Sequence, residues 1–275
     1  MSQMPVEQLA YAIQFYHPEK ILAEMPGINN EATLAAILGI DIERYRQIRE
    51  SFTVSAHEAA KVLLAAPTFS ALVDRLPFAP GATVVGLGDS ITDDCQSWIE
   101  ILRHLLDIRR PCDAIKVVNA GISGDTTTHI ISRFLKVAQQ QPDWIICMAG
   151  ANDVRRHGQP PTQVLVSLEE TAKNLKMLRH LAATQTQARW VWMTPTTAIE
   201  EQIEADWALG PLQERWLNED LAAVAAIVRQ QPDPVVDLQE ILGVPANPNL
   251  LLSDGIHPSL AGQQAIVSAL VKKLA

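Results

Sequence analysis

The first clear sign of the fold of this chain is a stretch of ten residues: Thr83-Val84-Val85-Gly86-Leu87-Gly88-Asp89-Ser90-Ile91-Thr92. A short apolar run bounded by turn residues predicts a buried strand. The glycines and polar residues after Leu87 predict a tight turn, and a helical stretch follows it at about 95–107. A strand that passes through a tight turn into a helix is the repeating unit of α/β proteins.

The same unit recurs along the rest of the chain. Four further apolar runs are Ile115–Val118, Trp144–Met148, Trp190–Met193 and Val235–Val236. Stretches with helical periodicity follow them, at about 127–140, 162–184, 212–230 and 259–274. Five strands interleaved with helices predict a three-layer α/β/α fold with a five-stranded, mostly parallel sheet. In such sheets ligands bind beyond the carboxyl ends of the strands.

The segment before the first strand has a different pattern. Apolar residues recur there at helical spacing, and no alternating strand pattern appears. The segment Pro77–Gly81 then breaks the helical pattern. We therefore predict a small all-helical N-terminal domain over residues 1–78 and an α/β domain over residues 79–275.

Composition narrows the class of protein. The chain has 275 residues and a formal net charge of −9, which disfavours nucleic acid and anionic membranes as partners. It contains no apolar stretch long enough for a membrane span and no signal-peptide pattern at its start. Its three cysteines lack metal-type spacing, which favours reduced thiols. These features together predict a cytoplasmic protein.

Three candidate functional residues follow the predicted strands, and each has two interpretations. Ser90 is either an exposed nucleophile or a helix N-cap. Gly124 either offers its N–H to an oxyanion or makes a turn before a capping residue. Asn152 is either a side-chain donor to a developing negative charge or an Asx turn.

The last such site lies near the end of the chain. Asp254 and His257 are three residues apart, so the carboxylate can reach one imidazole nitrogen and leave the other for a nucleophile. The other interpretation is a surface histidine beside a capping aspartate. Taken together, the strand-end residues supply a nucleophile, a base, an orienting carboxylate and oxyanion donors, which are the parts that acyl transfer requires.

The arrangement resembles the SGNH, or GDSL-type, hydrolase family in four blocks. The blocks, in chain order, are Gly88-Asp89-Ser90-Ile91-Thr92, Asn119-Ala120-Gly121-Ile122-Ser123-Gly124-Asp125-Thr126-Thr127, Gly150-Ala151-Asn152-Asp153 and Asp254-Gly255-Ile256-His257-Pro258. The resemblance covers about residues 82–275, with isoleucine where the family often has leucine after the serine. It implies a flavodoxin-like sheet and hydrolysis of a small-molecule ester or thioester with no metal and no cofactor.

The resemblance also implies a role for each site residue. Ser90 is expected to attack the acyl carbonyl, with His257 as base and Asp254 orienting the imidazole. The oxyanion is expected to be met by the backbone N–H groups of Ser90 and Gly124 and by the side chain of Asn152. We expect carboxylic esters with short acyl groups to be the substrates.

Some features left alternatives open. The stretch Thr33–Ile40 followed by Glu43–Arg46 has the look of a helix-turn-helix, which would make the protein a DNA- or protein-binding regulator with a hydrolase-like domain. Residues 1–78 hold six basic and nine acidic residues, which favours a helical hairpin packed on the hydrolase domain or on a partner. We expect this segment to contribute no chemical group to catalysis.

The stretch Thr196–Trp216 is either a flap over the acyl pocket or a surface helix.

Overall fold

The computed structural model describes residues 5–158, 160 and 163–275. Seven strands lie in the described chain: β1 Thr83–Gly88, β2 Lys116–Gly121, β3 Trp144–Met148, β4 Arg156–His157, β5 Gln163–Val164, β6 Arg189–Met193 and β7 Val235–Val236. The α-helices are α1 Val6–Phe15, α2 Pro18–Ile21, α3 Glu31–Ile37, α4 Ile42–Leu64, α5 Pro67–Arg75, α6 Ser90–Asp93, α7 Trp98–Arg109, α8 Thr127–Ser132, α9 Phe134–Ala138, α10 Leu168–Gln185, α11 Glu200–Ala205, α12 Asn218–Arg229, α13 Leu238–Leu242 and α14 Leu260–Leu274. No helix of the described residues is long and apolar enough to cross a bilayer.

The central sheet has the five predicted strands, all parallel, in the order β2-β1-β3-β6-β7. Strand β1 lies between β2 and β3 in the sheet but precedes both of them in the chain. The strand order therefore reverses its direction at β1. This is the point in an open parallel sheet where the loops at the carboxyl ends of the strands diverge and leave a crevice. The predicted fold class is confirmed.

Alternate residues of each strand face opposite layers. Val84 and Ile146 pack with helices α7 and α14 on one face of the sheet. Val85 and Ile145 pack with helices α8, α9, α10 and α12 on the other. Trp190 and Trp192 also lie in this second layer.

Some helix boundaries differ from the predicted ones. The stretch predicted as one helix over 127–140 divides at Arg133 into α8 and α9. Helix α10 begins only at Leu168, because a two-stranded antiparallel hairpin of β4 and β5 precedes it. Residue 162, where that helix was predicted to start, lies outside the described residues.

The N-terminal helices belong to two packing units. Helices α1, α3 and the first half of α4 share a small apolar cluster of their own. The second half of α4 and all of α5 instead join the sheet layer that holds α7 and α14, with Ala56, Ala60 and Val73 fully buried. The break after Leu76 is also fixed in place, because the Arg110 guanidinium donates to the carbonyls of Leu76 and Phe78. A boundary at residue 78 stays a prediction, and the two helices nearest to it, α4 and α5, share a core with the sheet.

Candidate active site

Ser90 lies at the carboxyl end of β1, as the first residue of the short helix α6. The N-cap of this helix is Asp89, whose carboxylate accepts a hydrogen bond of 3.1 Å from the Ile91 N–H. The N-cap interpretation of Ser90 is therefore wrong. Because a neighbour caps the helix, the Ser90 hydroxyl is available for another partner.

The turn that carries Ser90 is packed too closely for side chains at two glycines. A Cβ on Gly88 would lie 2.6 Å from the carbonyl oxygen of Met148, and one on Gly121 would lie 2.8 Å from the carbonyl carbon of Thr92. Glycine therefore permits the close approach of the three strand ends around the serine turn.

His257 connects Ser90 to Asp254. The Ser90 Oγ lies 2.9 Å from His257 Nε2, and His257 Nδ1 lies 2.6 Å from Asp254 Oδ2. The other carboxylate oxygen accepts the backbone N–H groups of Ile256 and His257, at 3.0 and 2.9 Å. Asp254 is 2% exposed and His257 is 8% exposed, so this histidine is not a surface residue.

The buried pair has complementary electrostatics. Burial disfavours the imidazolium form of His257, but attraction to the Asp254 carboxylate outweighs it and raises the pKa of the imidazole above its usual value of 6.5. Burial likewise opposes ionisation of Asp254, yet the charge and hydrogen bonds of His257 hold the pKa of the carboxyl below its usual value. The geometry and charges thus suit a histidine that takes up a proton while an ionised aspartate holds its ring.

The three expected oxyanion donors meet around one cavity. Ser90, Gly124, Asn152 and His257 line this cavity, whose volume is about 100 Å³. Gly124 has a φ of +83°, a left-handed conformation that favours glycine. Within the described chain, the backbone N–H groups of Ser90 and Gly124 have no hydrogen-bond acceptor.

Asn152 is fixed by one of its two amide hydrogens. Its Nδ2 donates a hydrogen bond of 3.1 Å to the carbonyl of Asp125, and the second hydrogen remains for another acceptor. The next residue, Asp153, accepts from the Thr127 N–H, the Thr127 hydroxyl and the Thr171 hydroxyl, at 2.6 to 2.7 Å. Asp153 thereby holds the loop after β3 against the start of α8.

Two other segments complete the cavity wall. Leu209, Glu214 and Trp216 belong to the stretch Thr196–Trp216, so this stretch lies beside the cavity, as the flap interpretation requires. Tyr11, Phe15 and Tyr16 come from α1. The last observation differs from our expectation, since the Tyr11 hydroxyl lies 3.3 Å from Asp254 Oδ2 and 3.4 Å from His257 Nδ1.

This contact has no signal in the sequence. Tyr11 is one of several apolar or aromatic residues at helical spacing in α1, and 243 positions separate it from Asp254. Periodicity indicates that such a helix packs against something, but it does not identify the surface. No cluster of three or more histidine, cysteine, aspartate or glutamate side chains that could hold a metal ion occurs in the described ranges.

Comparison with known proteins adds independent evidence on the family. The model of the GDSL-like lipase/acylhydrolase family matches residues 87–265. An acetylxylan esterase of Geobacillus stearothermophilus is 28% identical over 215 residues, covering 70% of this chain and 94% of its own length. The esterase TesA of Pseudomonas aeruginosa is 26% identical over 206 residues, covering 72% of this chain and 90% of its own. Among solved structures, an alpha/beta hydrolase enzyme from the metagenome of Lake Arreo, Spain, matches with a TM-score of 0.55 and 25% identity, over 72% of this chain and 96% of that one.

Proposed function

Because this chain belongs to the GDSL-like lipase/acylhydrolase family and its relatives are carboxylic ester hydrolases, we propose that it hydrolyses short-acyl esters through an acyl-enzyme on Ser90. One observation carries the proposal. It is the continuous path of hydrogen bonds from the Ser90 hydroxyl through the imidazole of His257 to the carboxylate of Asp254. A buried histidine held by a carboxylate on one nitrogen and by a serine on the other has the parts of an activated nucleophile.

Acylation begins when the Ser90 oxygen attacks the ester carbonyl. His257 takes the serine proton at Nε2, and Asp254 stabilises the imidazolium that forms. The tetrahedral intermediate carries its negative charge on the former carbonyl oxygen. That oxygen accepts hydrogen bonds from the N–H groups of Ser90 and Gly124 and from the Asn152 amide. Collapse of the intermediate expels the alcohol, which takes the proton from His257 and leaves the acyl group on Ser90.

Deacylation repeats the same steps with water. Water gives its proton to His257 Nε2 and attacks the acyl carbonyl, and the oxyanion is held by the same donors. When the second intermediate collapses, the Ser90 oxygen leaves and takes the proton back from the imidazole. A carboxylic acid and the free enzyme result.

The size of the cavity supports a short acyl group. Its volume is about 100 Å³, and the bulky side chains Phe15, Leu209 and Trp216 lie in its wall. An acetyl or similarly small group fits such a space beside the serine. These side chains limit the space next to the serine, so we propose a preference for short chains.

A panel of p-nitrophenyl esters of increasing acyl length, extended with acetylated sugars, tests the proposal. We expect kcat/KM to be highest for acetate or propionate and to fall steeply for long chains. Ser90→Ala should abolish turnover while the circular dichroism spectrum is unchanged. Ser132→Ala, which changes an exposed serine of α8, is the matched control and should keep full activity. Full turnover by folded Ser90→Ala protein would show that the nucleophile is elsewhere.

A further inference from the structure

Helix α1 presents two aromatic side chains to the histidine of the site. Tyr11 and Phe15 are four residues apart, so they lie on the same face of the helix. The Phe15 ring lies over the imidazole of His257, with centroids 4.3 Å apart and planes inclined by 33°. The Tyr11 ring lies beside the Phe15 ring, with centroids 4.8 Å apart, and its hydroxyl reaches the Asp254 carboxylate.

The end of α1 is anchored to the loop that follows Ser90. Gln14 donates through Nε2 to Asp94 at 3.0 Å, and its carbonyl accepts the backbone N–H of Cys95. His17 lies 2.7 Å from Asp93 through Nδ1. Gln14 and His17 are both buried, so water competes weakly for these contacts. The helix is therefore fixed on the same loop as the serine.

We propose that Tyr11 and Phe15 are positioning residues for the His257–Asp254 pair, so that α1 is a working part of the active site. This inference rests on the proposed function and deepens it. It assigns a role to a segment outside residues 87–265, the part of the chain that the family has in common. The two residues act on opposite members of the pair.

Tyr11 acts on the carboxylate. Burial and the nearby Asp254 charge raise the pKa of the phenol, so it stays protonated and donates its hydrogen bond. The acceptor, Asp254 Oδ2, is the oxygen that also accepts from His257 Nδ1. Each hydrogen bond to this oxygen neutralises part of the negative charge of the carboxylate. Tyr11 therefore fixes the carboxylate and weakens its pull on the imidazolium.

Phe15 acts on the imidazole. An aromatic face attracts a cation placed over it, and the imidazolium is the charged form that acylation produces. The same ring prevents the imidazole from swinging out of line with Ser90, because Phe15 is itself 2% exposed and cannot move aside freely. Phe15 therefore favours the protonated histidine in its productive orientation.

Other ionisable groups also face His257, and in the described part of the chain none of them has a hydrogen bond to the side chain of Tyr11 or Phe15. Asp89 and Asp94, in the turn around Ser90, attract the imidazolium in addition to Asp254. Asp206 lies near enough to Tyr11 to act on its phenol. A difference in the pKa of His257 between the wild type and a variant of Tyr11 or Phe15 thus reports the contact that was removed.

Two conservative variants of the full-length chain test the inference. Tyr11→Phe keeps the ring and removes the hydroxyl, and Phe15→Leu keeps apolar bulk and removes the aromatic face. Tyr45→Phe is the matched control, because Tyr45 is buried in the separate N-terminal cluster and loses the same hydroxyl. For each protein the pKa of His257 is measured by NMR titration, with its signal assigned by His257→Gln, and p-nitrophenyl acetate kinetics are recorded across pH.

Tyr11→Phe is expected to lower kcat by up to about tenfold with KM little changed, because the Asp254 carboxylate that orients the imidazole loses one of the hydrogen bonds that hold it. It should raise the pKa of His257, and Phe15→Leu should lower it. Tyr45→Phe should change neither quantity. A His257 pKa that stays the same in both variants, or moves in the same direction in both, would overturn the inference. The titration does not depend on turnover, so an inactive wild type would count against the proposed function and leave the inference to be decided by the pKa shifts.

Discussion

At the scale of single residues, the proposed chemistry depends on buried charges that water screens only weakly. Ser90 meets a histidine that is almost fully buried, and an aspartate more deeply buried holds the far side of that histidine. In such surroundings electrostatic interactions are stronger than in water, and an unpaired charge is costly. Single substitutions here should therefore change rates by orders of magnitude while the fold persists.

Asn152→Ala tests the oxyanion role. The amide hydrogen that the Asp125 carbonyl does not use is expected to bond only the charged intermediate. We therefore expect kcat to fall by about 10²–10³ with little change in KM. Asn152→Asp, which keeps the side-chain shape and replaces the donor by an acceptor, should lose at least as much. If KM rises while kcat holds, Asn152 binds the substrate in its ground state and its proposed role is wrong.

The pH profile tests the base. His257 must be neutral to accept the serine proton, and its pKa lies above 6.5 because Asp254 attracts the imidazolium. We expect kcat/KM to fall as the pH drops through that raised pKa. Asp254→Asn removes the attraction, so the acidic limb should move to lower pH and kcat should fall, though less than in Ser90→Ala. An acidic limb at the same pH in both proteins would show that another group titrates.

Asp89 predicts a pH-dependent stability. Burial raises the pKa of its carboxyl from 3.8 to about 7, and one of its oxygens has no hydrogen-bond partner within the described chain. Between these two values the folded state binds more protons than the unfolded state. This carboxyl therefore contributes a free energy of unfolding that decreases as the pH rises from about 4 to about 7.

Asp89→Asn removes that titration and keeps an acceptor for the Ile91 N–H. The variant should gain stability over the wild type as the pH rises through this window, and the gain should vanish at about pH 4. Urea unfolding at the two ends of the window measures the difference. An equal difference at both ends would mean that Asp89 is ionised throughout.

At the scale of elements, the sequence predicted the central sheet better than its surroundings. The strands are apolar runs bounded by glycine or polar turns, and all five lie where the pattern indicated. The signal is strong because a parallel strand covered on both faces must be apolar along its length. Helix ends were less certain, since local capping and tertiary contacts decide them. The hairpin of β4 and β5 was missed because two-residue strands carry almost no periodicity.

Small residues let helix α4 lie close to helix α7, which packs on the sheet. Ala56, Ala59 and Ala60 are buried in the same cluster as the apolar residues of α7. Ala60 is fully buried, so a larger side chain there must displace its neighbours. Ala60→Leu should lower the free energy of unfolding by about 1–3 kcal/mol through overpacking.

Urea unfolding of Ala60→Leu is best compared with Ala36→Leu. Ala36 is an exposed alanine on α3, so the same added bulk should change stability there by less than about 0.5 kcal/mol. Similar losses in both variants would contradict the packing of α4 into the sheet layer. That packing is also why the N-terminal segment contributes to the hydrolase core.

At the scale of the whole molecule, net charge bears on the regulator alternative. The chain carries −9 formal charges, whereas phosphate neutralisation by lysine and arginine supplies most non-specific affinity for DNA. In the helix-turn-helix-like region, Arg46 pairs with Glu31, and Tyr45 and Ile48 are buried against other helices. We expect no salt-sensitive binding to duplex DNA at micromolar protein, measured by fluorescence anisotropy. Binding that weakens as salt increases would revive the regulator alternative.

The sequence predicted most residues of the site but not the side chains of α1 that contact it. Ser90, Gly124, Asn152, Asp254 and His257 were selected because each follows a predicted strand or precedes the last helix, and the sheet topology brings such ends together. Tyr11 and Phe15 reach the site from a helix whose docking surface is fixed only by tertiary contacts. A periodic pattern does not encode that choice, so only the folded chain reveals it.

The proposed function requires Ser90 to be an activated nucleophile, and covalent labelling of the intact protein tests that role. The intact protein is treated with a fluorophosphonate, which reacts with activated serines, and the modified peptide is located by tandem mass spectrometry. We expect a single adduct, on Ser90, that is lost in His257→Gln and retained in Ser132→Ala. An adduct on another serine, or none on Ser90 in folded protein, would contradict the role of Ser90 as the nucleophile.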